Sequence, residues 1–157
     1  MSTSQWLLTF HITGAFLFLG GSVLAGVLAV LALRNDRPSD IAAHLRLIRA
    51  VVIPIGIGSL LVLAFGLALV HEQDLSFGAF WIWASIVLWL AASALGGIGG
   101  KRQQATRELA EQLAAGDDAP SDELRALLRD PVGNALSWGS GLAAFLVLVL
   151  MLWKPGA

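Results

Sequence analysis

The sequence predicts an all-α membrane protein: a four-helix transmembrane bundle with a cytoplasmic amphipathic helical hairpin between helices three and four. Hydrophobic residues make up 57% of the 157 residues and charged residues only 13%, and the mean hydropathy is +0.76. Such values are typical of polytopic membrane proteins. The apolar residues also fall into four stretches of the roughly 20 residues needed to cross about 30 Å of hydrocarbon. Backbone polar groups in lipid must be paired within the segment, so each stretch should be a helix.

We predict spans at Trp6 to Leu33, Ala50 to Val70, Phe77 to Gly100 and Val132 to Trp153. The loops 34–49 and 101–131 then join spans one to two and three to four, and the chain 1–157 forms one integral membrane domain. The N-terminus lacks the basic segment of a cleavable signal, and the first apolar run is too long for one. Span one should therefore stay in the mature protein.

Span one contains His11, the one ionisable side chain well inside any predicted span. Gly14, Phe18 and Gly21 follow it on the same helical face. Small residues mark the faces along which membrane helices approach each other closely. His11 should therefore point into the bundle, and the small residues provide either helix packing or clearance for a cofactor.

Span two is expected to begin before the membrane. Ser39 is a suitable N-cap for a helix through Ile41, Leu45 and Ile48 that continues into the span. Pro54 lies a turn or so inside the span, where the loss of one backbone donor favours a kink. The turn from span two to span three is short, so these helices should be antiparallel neighbours.

Span three opens with Trp81 and Trp83, which fit an aromatic belt at the membrane surface. The connection after it reads as two short amphipathic helices, Gln103 to Ala115 and Asp122 to Arg129, the second capped by Ser121. Their leucine faces could rest on the membrane. An ordinary solvated hairpin is the other interpretation.

The ten Lys and Arg residues set the orientation. They lie in the two long connections, apart from Lys154 after span four. Because positive charge accumulates in cytoplasmic loops, both long connections should be cytoplasmic and both termini outside.

The composition excludes several kinds of site. Without cysteine the chain can form no disulfide, thiolate metal site or iron–sulfur cluster. At a net charge of −1 it is unsuited to nucleic acid. The lipid bilayer is the expected partner, with a homo-oligomer or a larger membrane complex as further possibilities.

His11 is the candidate functional residue, because a neutral imidazole can bind iron or a divalent metal through one nitrogen while the other donates a hydrogen bond. The antiparallel arrangement brings the end of span two to the depth of His11. His71 is thus a candidate axial partner, and Glu72 with Asp74 could complete a metal or proton site with His11. A purely structural, hydrogen-bonded His11 is the alternative.

The segments Leu7 to Ile12, Phe16 to Gly21, Trp81 to Ser85 and Met151 to Gly156 resemble a bacterial family of predicted integral membrane proteins of unknown function. That family is similar to the copper resistance D membrane domain and to HemJ-type protoporphyrinogen oxidases. In those four-helix proteins a first-helix histidine is implicated in haem binding. The resemblance implies haem contact at His11 and a place in the bacterial inner membrane.

Two HemJ-type positions are missing, since residues 29–32 hold no histidine and residues 84–85 no lysine. Protoporphyrinogen oxidation is therefore not expected, and whether the chain is an enzyme stays open. The sequence favours a small membrane protein that binds haem b, or else a metal, through His11. The alternative is a non-enzymatic accessory or scaffold subunit of a larger membrane assembly, and proton or metal-ion handling is a third reading.

Overall fold

A computed structural model describes residues 2–155 as an all-helical chain. Four of its helices are long and apolar enough to cross a membrane, which confirms the predicted number of spans. In chain order the helices of the described residues are α1 (Thr3–Arg34), α2 (Pro38–Glu72), α3 (Phe80–Ala114), α4 (Asp122–Leu128) and α5 (Pro131–Trp153). At about 1.5 Å per residue, α1, α2 and α3 are longer than the hydrocarbon layer is thick. These three helices therefore project beyond the membrane.

Side-chain and backbone caps fix where the helices begin and end. The Ser2 side chain accepts from the Gln5 backbone, and the Gln5 side chain accepts from the Ser2 backbone, so a capping box opens α1. Asp130 caps α5 by accepting from the N–H groups of Val132 and Gly133. Lys154 ends α5 in a left-handed conformation, with φ of 42°.

The chain runs up and down through the bundle, so two ends can be distinguished. The basic end holds the C-termini of α1 and α3, the N-termini of α2 and α5, and α4. The terminal end holds the start of α1, the end of α5 and the short α2–α3 connection. Contacts are densest within the pairs α1–α2 and α3–α5, moderate between α2 and α3, and sparse between α1 and α5. The bundle therefore consists of two tight helix pairs with one loosely closed side.

The predicted two-helix hairpin between spans three and four is wrong. Residues 103–114 continue α3 without a break, and only α4 is a separate short helix, capped by Ser121 as predicted. The glycines before residue 103 do not end the helix, because Gly96 and Gly99 lie against Ser140 and Ser137 of α5. Close packing there offsets the low helix propensity of glycine.

Most leucines of the two faces for which a place on the membrane surface was one interpretation pack into protein instead, and only Leu127 among them is exposed. Leu124 of α4 is only 1% exposed. It belongs to a basal core, defined here as Leu28, Ala32, Ile41, Ala42, Leu45, Ile48, Ala110 and Leu124. Leu109, Leu113 and Leu128 pack against this core. The projecting turns of α1, α2 and α3 thus make their own apolar interior at the basic end.

The start of α2 also differs from expectation. The helix begins at Pro38 with Arg37 as N-cap, so Ser39 lies inside the first turn and caps nothing. Instead, its backbone N–H and its hydroxyl donate to the Asp118 carboxylate at 2.8 and 2.7 Å. These bonds lower the pKa of the Asp118 carboxyl below its usual range. The α3–α4 loop therefore supplies the capping acceptor for α2.

Candidate cofactor cavity

A cavity of about 420 Å³ lies between the two helix pairs, in the half of the bundle towards the terminal end. Its floor is the apolar cluster around Phe18 and Ala144, and one wall includes Trp81 and Ile82 of α3. The lining is almost entirely apolar and draws on α1, α2, α3 and α5. The volume falls within the range of about 300 to 1,000 Å³ typical of sites for small molecules and cofactors.

His11 lines this cavity from α1, as the sequence analysis expected of an inward-facing side chain. Its Nδ1 lies 3.0 Å from the Val62 carbonyl oxygen of α2. A carbonyl oxygen only accepts, so Nδ1 must carry the proton, and in the neutral imidazole the lone pair is then on Nε2. No described residue forms a hydrogen bond to Nε2. This is the arrangement found for histidines that bind a metal.

His11 is held at the Val62 carbonyl by Gly66, one helical turn further along α2. A Cβ at residue 66 would lie 3.0 Å from His11 Cε1 and 3.2 Å from Nδ1. A larger residue would push the ring away from α2. The space that a side chain at residue 66 would fill is thus occupied by the His11 imidazole and is not available to a ligand.

The two glycines of the predicted stripe on α1 serve helix packing. A Cβ on Gly14 would come within 2.9 Å of the Gly58 carbonyl oxygen, and one on Gly21 within 2.5 Å of the Ile55 side chain. Of the two roles considered for these small residues, Gly14 and Gly21 therefore have the packing role, because α2 fills the space beside them. Their contribution is the close contact between α1 and α2 that positions His11.

The polar side chains on the far wall are paired with protein atoms. Ser85 donates to the Trp81 carbonyl oxygen at 2.7 Å, and Trp89 Nε1 donates to Ser59 Oγ at 2.9 Å. These groups stabilise the wall and have little left to offer a ligand. Among the described residues that line the cavity, His11 is thus the main source of a nitrogen lone pair for a metal.

Met151 of α5 also lines the cavity, on the helix across the loosely packed side from His11. A thioether is a soft ligand and serves as the partner of histidine at some haem irons. No pattern in the sequence singles out Met151 as a ligand. Its position opposite α1 follows from the packing of the helices and cannot be read from spacing along the chain.

At the mouth of the cavity, Lys154 reaches back over Trp81. Its Nζ lies 5.7 Å from the Trp81 ring centroid, a cation–π distance. Trp81 is only 6% exposed, so its ring packs inside the protein and does not face lipid. The indole instead forms part of the cavity wall, whereas Trp83 is exposed on the outer surface.

The other predicted ligands lie outside the cavity lining. His71 and Glu72 are exposed at the last turn of α2, and Ser4 Oγ donates to Glu72 at 3.4 Å. Asp74 follows in the α2–α3 connection with φ of 51°. Within residues 2–155 no group of three His, Cys, Asp or Glu side chains is arranged to hold a metal ion. The pairings of His11 with His71, and with Glu72 and Asp74, stay predictions.

Comparison with known proteins identifies the family. The model of a family described as "Predicted integral membrane protein (DUF2269)" matches residues 5–155, nearly the whole chain. The chain belongs to this family. It is thus an integral, multi-pass membrane protein of an uncharacterised family. No curated protein and no solved structure matches the chain, so the further likeness to the copper resistance D domain and to HemJ-type oxidases stays an expectation.

Proposed function

We propose that this membrane protein binds haem b in the cavity between its helix pairs, with His11 as an axial ligand. The proposal rests on the hydrogen bonding and orientation of the His11 ring. Its Nδ1 donates to the Val62 carbonyl, which orients the imidazole and leaves the Nε2 lone pair for a metal. A metal ion alone is disfavoured because the described residues that line the cavity include no carboxylate.

The cavity suits a large apolar ligand. Its walls are aliphatic and aromatic, and the polar groups of Ser85 and Trp89 are already paired. Apolar surroundings with a few placed polar groups are characteristic of cofactor sites. Haem would supply one-electron chemistry, and the residues of the chain would hold it, orient it and exclude water from its faces.

The second axial position has two candidates. Met151 lines the cavity from α5, and His71 was the candidate from the sequence. A thioether and an imidazole give different spectra and potentials, with the thioether raising the potential. The cavity lining favours Met151, because His71 lies outside it.

The deciding experiment is the visible spectrum, oxidised and reduced with dithionite, of the detergent-purified full chain from haem-sufficient cells. We expect a Soret band that sharpens on reduction and is lost in His11→Ala. His44→Ala is the matched control, because His44 is half-buried at the basic end, far from the cavity, and its Nδ1 bonds the Asp40 carbonyl oxygen of its own helix. Met151→Leu and His71→Ala identify the second ligand, since only one should change the spin state.

Two results would contradict haem binding. One is a featureless spectrum from haem-sufficient cells. The other is haem retention that His11→Ala leaves unchanged. Either would favour the alternative, an accessory subunit of a larger membrane complex, and crosslinking in native membranes would then be the next measurement.

A further inference from the structure

Lys154 is placed at the cavity mouth by the way α5 ends. The residue adopts φ of 42°, and its backbone N–H donates to the Leu150 carbonyl oxygen at 2.8 Å. This left-handed cap stops the helix and turns the chain. The side chain then lies over Trp81, with Nζ 5.7 Å from the ring centroid. The ammonium group of this exposed residue thus lies beside the Trp81 indole at the rim of the cavity.

The charge carried by the cavity lining is positive. Among the described residues that line it, Lys154 is the only one with a permanent charge, and none is an aspartate or glutamate. The rest of the lining is apolar apart from His11 and a few neutral polar side chains. An occupant that complements this lining is apolar along most of its length and anionic at the end that faces the terminal end of the bundle.

We propose that Lys154 recognises the carboxylate end of the ligand, which for haem means the propionates. This inference rests on the proposed function and deepens it, because it sets the direction in which haem lies. The porphyrin body would occupy the apolar interior beside His11, with its propionates at the rim. Lys154 is a specificity residue in this scheme, since an ammonium–carboxylate hydrogen bond rewards only ligands with a free carboxylate.

The test compares haem with its dimethyl ester, in which both propionates are esterified and uncharged. Each ligand is titrated into the full-length chain in lipid nanodiscs, and dissociation constants are read from the Soret band. We expect the unaltered chain to bind haem about 3- to 10-fold more tightly than the ester, the range for a partly exposed charge pair. Lys154→Gln should lose that preference, and Lys154→Arg should keep it.

The ratio of the two affinities isolates the charge contact. Loss of the Lys154 contact with Trp81 would weaken both ligands equally and leave the ratio unchanged. Lys101→Gln is the control, because Lys101 is an exposed lysine far along α3 towards the basic end. It should leave the preference intact, and matched melting temperatures show that each variant is folded.

The outcomes separate the two proposals. If the unaltered chain and Lys154→Gln show the same preference for haem over the ester, haem binding stands and the role of Lys154 is overturned. If the unaltered chain binds neither ligand, haem binding itself fails and the role of Lys154 falls with it. A preference lost in Lys154→Gln and kept in Lys154→Arg supports both.

Discussion

His11 depends on the helix opposite it as much as on its own. The Val62 carbonyl selects the tautomer, and Gly66 allows the ring to reach that carbonyl. The sequence predicted that His11 faces inward, because it heads a stripe of small residues at helical spacing. It could not show the Val62 contact, which depends on the offset between two helices. Met151 and Lys154 were missed for the same reason.

Substitution of Gly66 tests the placement of the imidazole. In Gly66→Ala the new methyl group would lie 3.0 Å from Cε1, so the ring must move and the Nδ1 bond lengthens. We expect haem affinity to fall about 10-fold or more, as when other groups that orient a metal-binding side chain are changed. The measurement is a haem titration followed at the Soret band.

Gly56→Ala is the matched control for that experiment. Gly56 lies on the same helix, and within residues 2–155 no atom beyond its own helical backbone comes within 4 Å of a Cβ at this position. Alanine should be neutral or slightly stabilising there, because it has the higher helix propensity. Equal loss of haem affinity in both variants would mean that Gly66 has no special contact with His11.

At the level of elements, the sequence predicted α2 well and α3 badly. Ile41, Leu45 and Ile48 recur at helical spacing and carried the prediction of one continuous α2 into the membrane, which the structure confirms. The pairs of glycines before Lys101 led to a break in α3 that does not occur. One glycine of each pair, Gly96 and Gly99, packs on α5, a contact between segments that are remote in sequence.

The Asp118–Ser39 contact predicts a pH dependence of stability. Bonds from Ser39 lower the pKa of Asp118 below its value in the unfolded chain. The ionised carboxylate therefore favours folding above the unfolded pKa, and its contribution is lost as the pH falls through the lowered, folded value. Asp118→Asn should thus melt below the unaltered chain at neutral pH and converge with it in acid.

Thermal melts of the purified protein across an acidic pH series measure this difference. Asp117→Asn is the control, because the Asp117 side chain bonds only the local Ala119 N–H at 3.4 Å. It should follow the unaltered chain at each pH. A gap between Asp118→Asn and the unaltered chain that stays constant into acid would contradict the charge-based account.

On the scale of the whole molecule, charge distribution predicts the orientation. Four arginines lie between residues 34 and 49 and five basic residues between 101 and 131, all at the basic end. We propose that this end is cytoplasmic and that both termini are outside. Several of these charges are paired across elements, as in Arg125 with Asp36 at 2.8 Å.

Reporter fusions measure the orientation. Alkaline phosphatase, which is active only outside the cytoplasm, should be active when fused after Pro155 and inactive when inserted at Gly116 in the α3–α4 loop. A fluorescent protein that matures only in the cytoplasm should give the opposite pattern. Activity of the phosphatase at Gly116 would reverse the proposed topology.

The uneven packing of the four helices makes one side of the bundle easier to open than the others. Each tight pair is held together by close contacts at glycines. These are Gly14 and Gly58 in the pair α1–α2, and Gly96 and Gly99 in the pair α3–α5. The α2–α3 contact joins the two pairs, and the α1–α5 side is the sparsely packed one. A flat apolar ligand would enter from the lipid between α1 and α5 through a small separation of the two helix pairs. The contacts within each pair would stay intact.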